Sequence, residues 1–169
     1  MSKFDAVMDR DANYQVLTGD YPFRTKHSIT FAGGTTDAWG DDGGALDGGA
    51  IFTVTGLVKV KVLGLCTALL TGGATIEVGI TGNTAIFCAQ ITDTVLDADE
   101  IWLNDTTPAS SFIVGEEEAA IDNFPPYLLN GNDIIFTVSG AQNVTAGVVD
   151  FYALWKPLSD DGSITAPDN

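Results

Sequence analysis

The clearest pattern in the chain is an alternation of apolar and polar positions near its end. The segment from Ala146 to Leu158 has the sequence AGVVDFYALWKPL. Successive side chains of a strand point to opposite faces of the sheet, so this pattern predicts one long strand with two distinct faces. The side that holds Tyr152 and Leu154 is too apolar for a plain wet surface, and we expect it to contact another subunit. The predicted core side consists of Val149, Phe151, Ala153 and Trp155.

Three further segments, 57–70, 74–80 and 85–92, also have the pattern of strands. The first contains the alternation VKVKV, which is typical of a strand with one wet face. Turn sequences rich in glycine, TGG and TGNT, separate the three segments, and glycine adopts the positive φ of tight turns without steric cost. The sequence therefore predicts an antiparallel meander of three strands.

The whole chain contains about eight such segments, with turn signals between them and no convincing helical pattern. This distribution predicts an all-β protein, either a sandwich or a barrel. Long connections at 32–49 and 105–132 favour an antiparallel β-sandwich of the jelly-roll or Greek-key type over an up-and-down barrel.

The chain divides into an N-terminal arm (1–27), a β-sandwich domain (28–158) and a polar C-terminal tail (159–169). The first strand of the domain is predicted at Ser28–Phe31. The arm has no net charge and no clean hydrophobic period, so it is poorly suited to form its own core. It is either a frayed terminus or an extended arm that orders on a neighbouring protein, with its aromatic residues as anchors.

The charge of the chain limits its partners. Its formal net charge is −16, with 23 acidic and 7 basic residues. Affinity for DNA and RNA comes largely from lysine and arginine side chains that neutralise phosphates, so nucleic acid is not an expected partner. No segment has the continuous apolar core of a signal peptide or the length of a membrane helix, and we expect a protein that is soluble, made in a cytoplasm and not bound to a membrane.

Two cysteines, Cys66 and Cys88, lie in apolar segments that are predicted to be strands. A free cysteine in such surroundings behaves as a small hydrophobic residue, so both are predicted to be buried thiols. A disulfide between them stays open as an alternative, because neighbouring strands can bring two cysteines together.

Catalytic motifs are missing from the sequence. The only histidine, His27, lies at the end of the arm, and there is no phosphate-binding loop, zinc-binding helix or nucleophile elbow. The aspartates near Trp39 lack the ligand order of an EF-hand. We therefore expect no enzyme activity, no cofactor and no metal site. A solvated loop is expected around Trp39, which either folds back over the sandwich or offers an exposed contact.

The order of the motifs, VTGLVKVKVLGLCTALLTGGATIEVGITGNTA, DADEIW, IIFTV and TAGVVDFYALWKPLSDDG, resembles a group of small virion proteins of tailed bacteriophages. The resemblance covers about residues 48–162. Members of such groups are capsid decoration or cement proteins, often β-sandwiches that sit as trimers on the head.

This resemblance implies a non-enzymatic protein that binds the outer surface of the head and stabilises it. The implied partners are the major capsid protein and further copies of the chain, as a homotrimer on the capsid exterior. An alternative is a carbohydrate-binding or adhesin head of a tail, baseplate or head fibre, in which Trp39 stacks on a sugar. The candidate capsid or subunit contacts are Phe4, Arg10, Tyr14, Tyr21, Phe23, Arg24, Trp39, Tyr152 and Leu154.

Overall fold

The computed structural model describes residues 9–10, 16–17, 21–33, 38–105, 109–110 and 124–167. The strands within these residues are β1 (Asp9–Arg10), β2 (Val16–Leu17), β3 (Phe23–Phe31), β4 (Gly49–Thr55), β5 (Leu57–Thr71), β6 (Thr75–Ile80), β7 (Asn83–Thr92), β8 (Glu100–Trp102), β9 (Ala109–Ser110), β10 (Tyr127–Asn130), β11 (Ile134–Ser139), β12 (Ala146–Pro157) and β13 (Ser163–Thr165). A short 3-10 helix, Asp93–Val95, follows β7.

Two antiparallel sheets form the body of the protein. The six-stranded sheet has the order β3-β12-β5-β8-β9, and β10 pairs with a different part of β5. The five-stranded sheet has the order β13-β4-β11-β6-β7. One continuous apolar core joins the inner faces of both sheets, which confirms the predicted all-β sandwich. The two sheets contain eleven strands rather than about eight, because several are only two to four residues long.

Strand β12 is central to the six-stranded sheet, since it pairs with β3 on one side and β5 on the other. Its predicted core side is buried as expected from the alternation. The Phe151 ring lies 6.0 Å from the Phe136 ring of the opposite sheet and 6.2 Å from the Trp102 ring. The contact with Phe136 links the two sheets through the middle of the core.

The predicted meander is wrong in its first link. β6 and β7 form the expected hairpin, but β5 belongs to the other sheet. Both edges of β5 are already occupied, by β12 on one side and by β8 and β10 on the other. The turn after Thr71 therefore carries the chain from one sheet to the other. Glycine is required at Gly72, whose φ is +146° and where a Cβ would lie 1.9 Å from the carbonyl oxygen of Asn143.

Both ends of the predicted domain also need correction. The first strand begins at Phe23 rather than Ser28, because the Phe23 ring stacks on Trp155 at 4.6 Å and extends the pairing with β12. The boundary placed after residue 27 therefore falls inside β3. At the other end, the segment expected to be a polar tail contains β13, which pairs with β4 and buries Ile164 in the core.

Both cysteines are buried free thiols, as predicted. Burial raises the pKa of the Cys66 thiol to about 11 and also raises the pKa of Cys88, so both are protonated at neutral pH. The part of the chain that the structure describes contains no helix long and apolar enough to span a membrane.

Candidate interaction face

The outer face of the six-stranded sheet gathers all the basic residues between Tyr21 and Ala166. Side chains alternate along each strand, and residues that are paired between strands share a face. The pairings Arg24 with Leu154, Leu154 with Lys61, and Lys156 with Lys59 place these positions in adjoining rows. We call this surface the basic face, and its charged side chains are Arg24, Lys26, Lys59, Lys61, Lys156 and Asp150.

Apolar side chains lie between the charges on the basic face. Tyr152 pairs with Leu63, and Asp150 pairs with Leu65, which in turn pairs with Ile101 of β8. Leu128 of β10 pairs with Lys59 and is 65% exposed. Aromatic and apolar side chains are typical of the core of a protein–protein interface, and charged side chains are typical of its rim.

Aromatic rings accompany four of the five cations. Tyr21 lies beneath two of them, with its ring centroid 5.1 Å from the Lys59 amine and 5.4 Å from the Lys61 amine. The guanidinium of Arg24 and the amine of Lys26 each lie 5.7 Å from the centre of the Tyr152 ring. These cation–π contacts hold the cations close to the sheet and leave their charge intact.

One charge pair on the basic face costs stability. Lys59 and Lys156 are direct partners across β5 and β12, on the same side of the sheet. Like charges directly opposite each other in a sheet destabilise it. The strand register therefore gives these two lysines no favourable charge pairing with each other, which makes them candidates for binding.

The charge of the basic face is opposite to that of the chain. Its five basic residues and one acidic residue give a formal charge of +4, whereas the whole chain carries −16. The outer face of the five-stranded sheet has no basic residue within the described strands and is rich in threonine, with Thr53, Thr55 and Thr137 among its outward positions. The two outer faces thus differ sharply in chemistry.

Only some of the contact residues predicted from the sequence lie on the basic face. Tyr21, Arg24, Tyr152 and Leu154 lie on or against the basic face. Phe23 packs against the edge of the core instead. Phe4 and Tyr14 lie outside the described residues, as does the side chain of Arg10.

Trp39 fills one end of the core. It is half-buried, with its ring 5.9 Å from the His27 ring and 6.2 Å from the Phe136 ring. The nearby aspartates accept hydrogen bonds from the backbone. Asp47 accepts from the amides of Val138 at 2.8 Å and Gly43 at 3.1 Å. Within the described ranges, no group of three or more histidine, cysteine or acidic residues is placed to hold a metal ion.

Sequence reasoning missed Lys26, Lys59, Lys61 and Lys156 as one surface. The alternation of valine and lysine in β5 indicated that Lys59 and Lys61 share a wet face. The sequence alone did not indicate that β12 and β3 lie beside β5, and this arrangement brings the remaining basic residues to that face.

Comparison of the chain with models of protein families, with curated proteins and with solved structures finds no match.

Proposed function

We propose that this chain is a non-enzymatic structural protein of a bacteriophage particle, which decorates the outer surface of the capsid and attaches to it through the basic face. The observation that carries the proposal is the concentration of Arg24, Lys26, Lys59, Lys61 and Lys156 on one face of an acidic protein. The resemblance of the strand motifs to decoration and cement proteins supports the assignment to a virion.

The chemistry of the basic face favours an acidic protein surface as its target. Leu63, Leu65 and Leu154 lie between the cations, and burial of apolar area adds affinity to charge attraction. A nucleic acid would meet the same cations, but the remainder of the chain carries a formal charge of −20, which opposes the approach of a long polyanion. An ordered protein patch of limited size meets the basic face without approaching the acidic sides.

The like-charge pair of Lys59 and Lys156 also supports a binding role. Two lysines paired directly across β5 and β12 repel each other in the free protein. A carboxylate of the capsid placed between them removes that repulsion and forms two favourable contacts. We therefore expect these two lysines to contribute strongly to attachment.

Co-sedimentation of the purified protein with undecorated phage heads tests the proposal. We compare the wild type with the double variant Lys59→Gln/Lys61→Gln. The matched control is Thr53→Glu/Thr55→Glu, at exposed positions of the opposite sheet. Both double variants are two charge units more negative than the −16 of the wild type, so they differ only in where the change lies.

The wild type and the control are expected to bind heads at low salt and to bind more weakly as the salt concentration rises. The basic-face variant is expected to lose most of its binding. Absence of binding by the wild type at every salt concentration and stage of head maturation would refute the capsid role. Equal loss of binding by the two variants would show that net charge, rather than the basic face, determines attachment.

A further inference from the structure

The outermost strand of the six-stranded sheet, β3, has one edge without a strand partner among the described residues. β3 pairs with β12 along all nine residues from Phe23 to Phe31, and the register has no shift or bulge. An edge of this length and regularity presents a row of backbone amides and carbonyls in position to form hydrogen bonds with another strand.

The other long edge strand, β7, is covered by residues that follow it in the chain. β7 is the outermost strand of the five-stranded sheet, and its register with β6 shifts twice. The amide of Ala89 donates to the carbonyl of Leu103 at 2.9 Å, and the side chain of Asn104 donates to the carbonyl of Ile86 at 3.0 Å. Trp102 also donates its indole N–H to the carbonyl of Ala89, at 2.8 Å. The remaining edge strands, β9, β10 and β13, are two to four residues long.

The basic residues of β3 do not protect its edge. Lysine side chains often prevent pairing by projecting beyond an edge strand. Here the Lys26 amine turns back to β12, where it lies 2.8 Å from the carboxylate of Asp150. Arg24 likewise lies against the ring of Tyr152 on β12. The edge of β3 is therefore long, regular and free of outward charge.

In place of the homotrimer that the resemblance implies, we propose that β3 pairs antiparallel with β3 of a second copy of this chain, about a two-fold axis beside His27. This register places Lys26 opposite Ser28 of the partner subunit and Arg24 opposite Thr30 of the partner subunit, so that no two cations face each other directly. Phe23 lies opposite Phe31 of the partner subunit. The two six-stranded sheets join into one, and their two basic faces lie side by side.

Self-association through β3 has a salt dependence opposite to that of attachment through the basic face. Two copies that each carry −16 repel one another, and salt screens this repulsion. The dimer is therefore expected to become tighter as salt rises. The opposite salt dependences therefore distinguish self-association through β3 from attachment to heads.

Sedimentation equilibrium of the full chain, at low and high salt, tests the proposal with substitutions at Thr30, which is exposed. In the proposed register, Thr30→Glu faces Arg24 of the partner subunit and strengthens the dimer, whereas Thr30→Lys weakens it. Net charge alone predicts the reverse order, because Thr30→Glu increases the repulsion between copies and Thr30→Lys reduces it. The control substitutions Thr53→Glu and Thr53→Lys measure this effect of net charge on the opposite sheet.

We expect a monomer–dimer equilibrium in which Thr30→Glu lowers the dissociation constant several-fold and Thr30→Lys raises it several-fold, while the controls move in the opposite directions. A monomer at all concentrations and salt levels would overturn the proposal. A trimer would also overturn it, as would a dimer in which the substitutions at Thr30 behave like those at Thr53.

Discussion

Lys26 and Asp150 form an ion pair between β3 and β12, with the amine nitrogen 2.8 Å from a carboxylate oxygen. Burial by itself would raise the pKa of Asp150, but hydrogen bonds from Lys26 and Ser28 outweigh it and lower the pKa. The hydrogen bond to Asp150 raises the pKa of Lys26 against the opposing effect of burial. This pair holds the edge strand to the central strand of the sheet.

The ion pair is expected to stabilise the fold only over a defined pH range. The contribution of Asp150 is present above its unfolded pKa of about 3.8 and is lost as the pH falls through the lower folded value. The contribution of Lys26 is present below about 10.5 and is lost as the pH rises through the higher folded value. Asp150→Asn should therefore slightly lower the melting temperature at pH 7, and the difference from the wild type should be smaller at pH 2. An equal difference at both pH values would contradict this account.

His27 is expected to weaken the fold in mild acid. It is 3% exposed, and its Nε2 atom has no hydrogen-bond partner in the described part of the chain. Burial lowers its pKa from 6.5, so the unfolded chain takes up a proton at a higher pH than the native one. The free energy of unfolding should fall as the pH decreases below 6.5, until the folded pKa is passed. Urea denaturation from pH 7 to 5 should show a smaller fall for His27→Leu, and equal falls would exclude His27 as the cause.

Neighbouring residues of β5 are expected to respond very differently to the same substitution. Val60 is fully buried, and a carboxylate placed there without a partner costs several kcal/mol, comparable with the roughly 5–15 kcal/mol stability of a whole domain. Val60→Asp should therefore abolish folding. Lys61→Asp lies on the outer face and should leave a cooperative thermal transition by circular dichroism. A folded Val60→Asp variant would show that the faces of β5 are misassigned.

Only one carboxylate oxygen of Asp93 is expected to stabilise the fold. Its Oδ1 accepts a hydrogen bond from the amide of Gly73 at 2.8 Å. Its Oδ2 is buried and has no hydrogen-bond partner within the described residues. Asp93→Ala removes the acceptor and should cost about 1–2 kcal/mol in urea denaturation. Asp93→Asn keeps the acceptor, so it should cost less than Asp93→Ala. A greater loss for Asp93→Asn than for Asp93→Ala would contradict this assignment.

The sequence predicted the positions of the strands more successfully than their pairing in the two sheets. The alternation in β12 was sufficient to identify Phe151 and Trp155 as core residues, because the side-chain period of a strand is local. The placement of β5 and β6 in different sheets was not predictable in this way. A glycine turn such as Thr71–Gly73 is compatible both with a hairpin and with a crossing between sheets.

The same limit applies to the basic face. Lys59 and Lys61 share a face by alternation alone, but Arg24, Lys26 and Lys156 join them only because β3 and β12 lie beside β5. The sequence also did not decide whether Trp39 packs over the core or is an exposed contact. Its contacts with His27 and Phe136 depend on two segments that are distant in the chain.

Lysine footprinting on the particle tests attachment through the basic face without any variant. Free protein and protein bound to heads are acetylated briefly, and the modified positions are read by mass spectrometry. We predict that Lys59, Lys61 and Lys156 are strongly protected in the bound state, since the basic face contacts the capsid. Unchanged reactivity of these three lysines in protein that is firmly bound to heads would contradict the account.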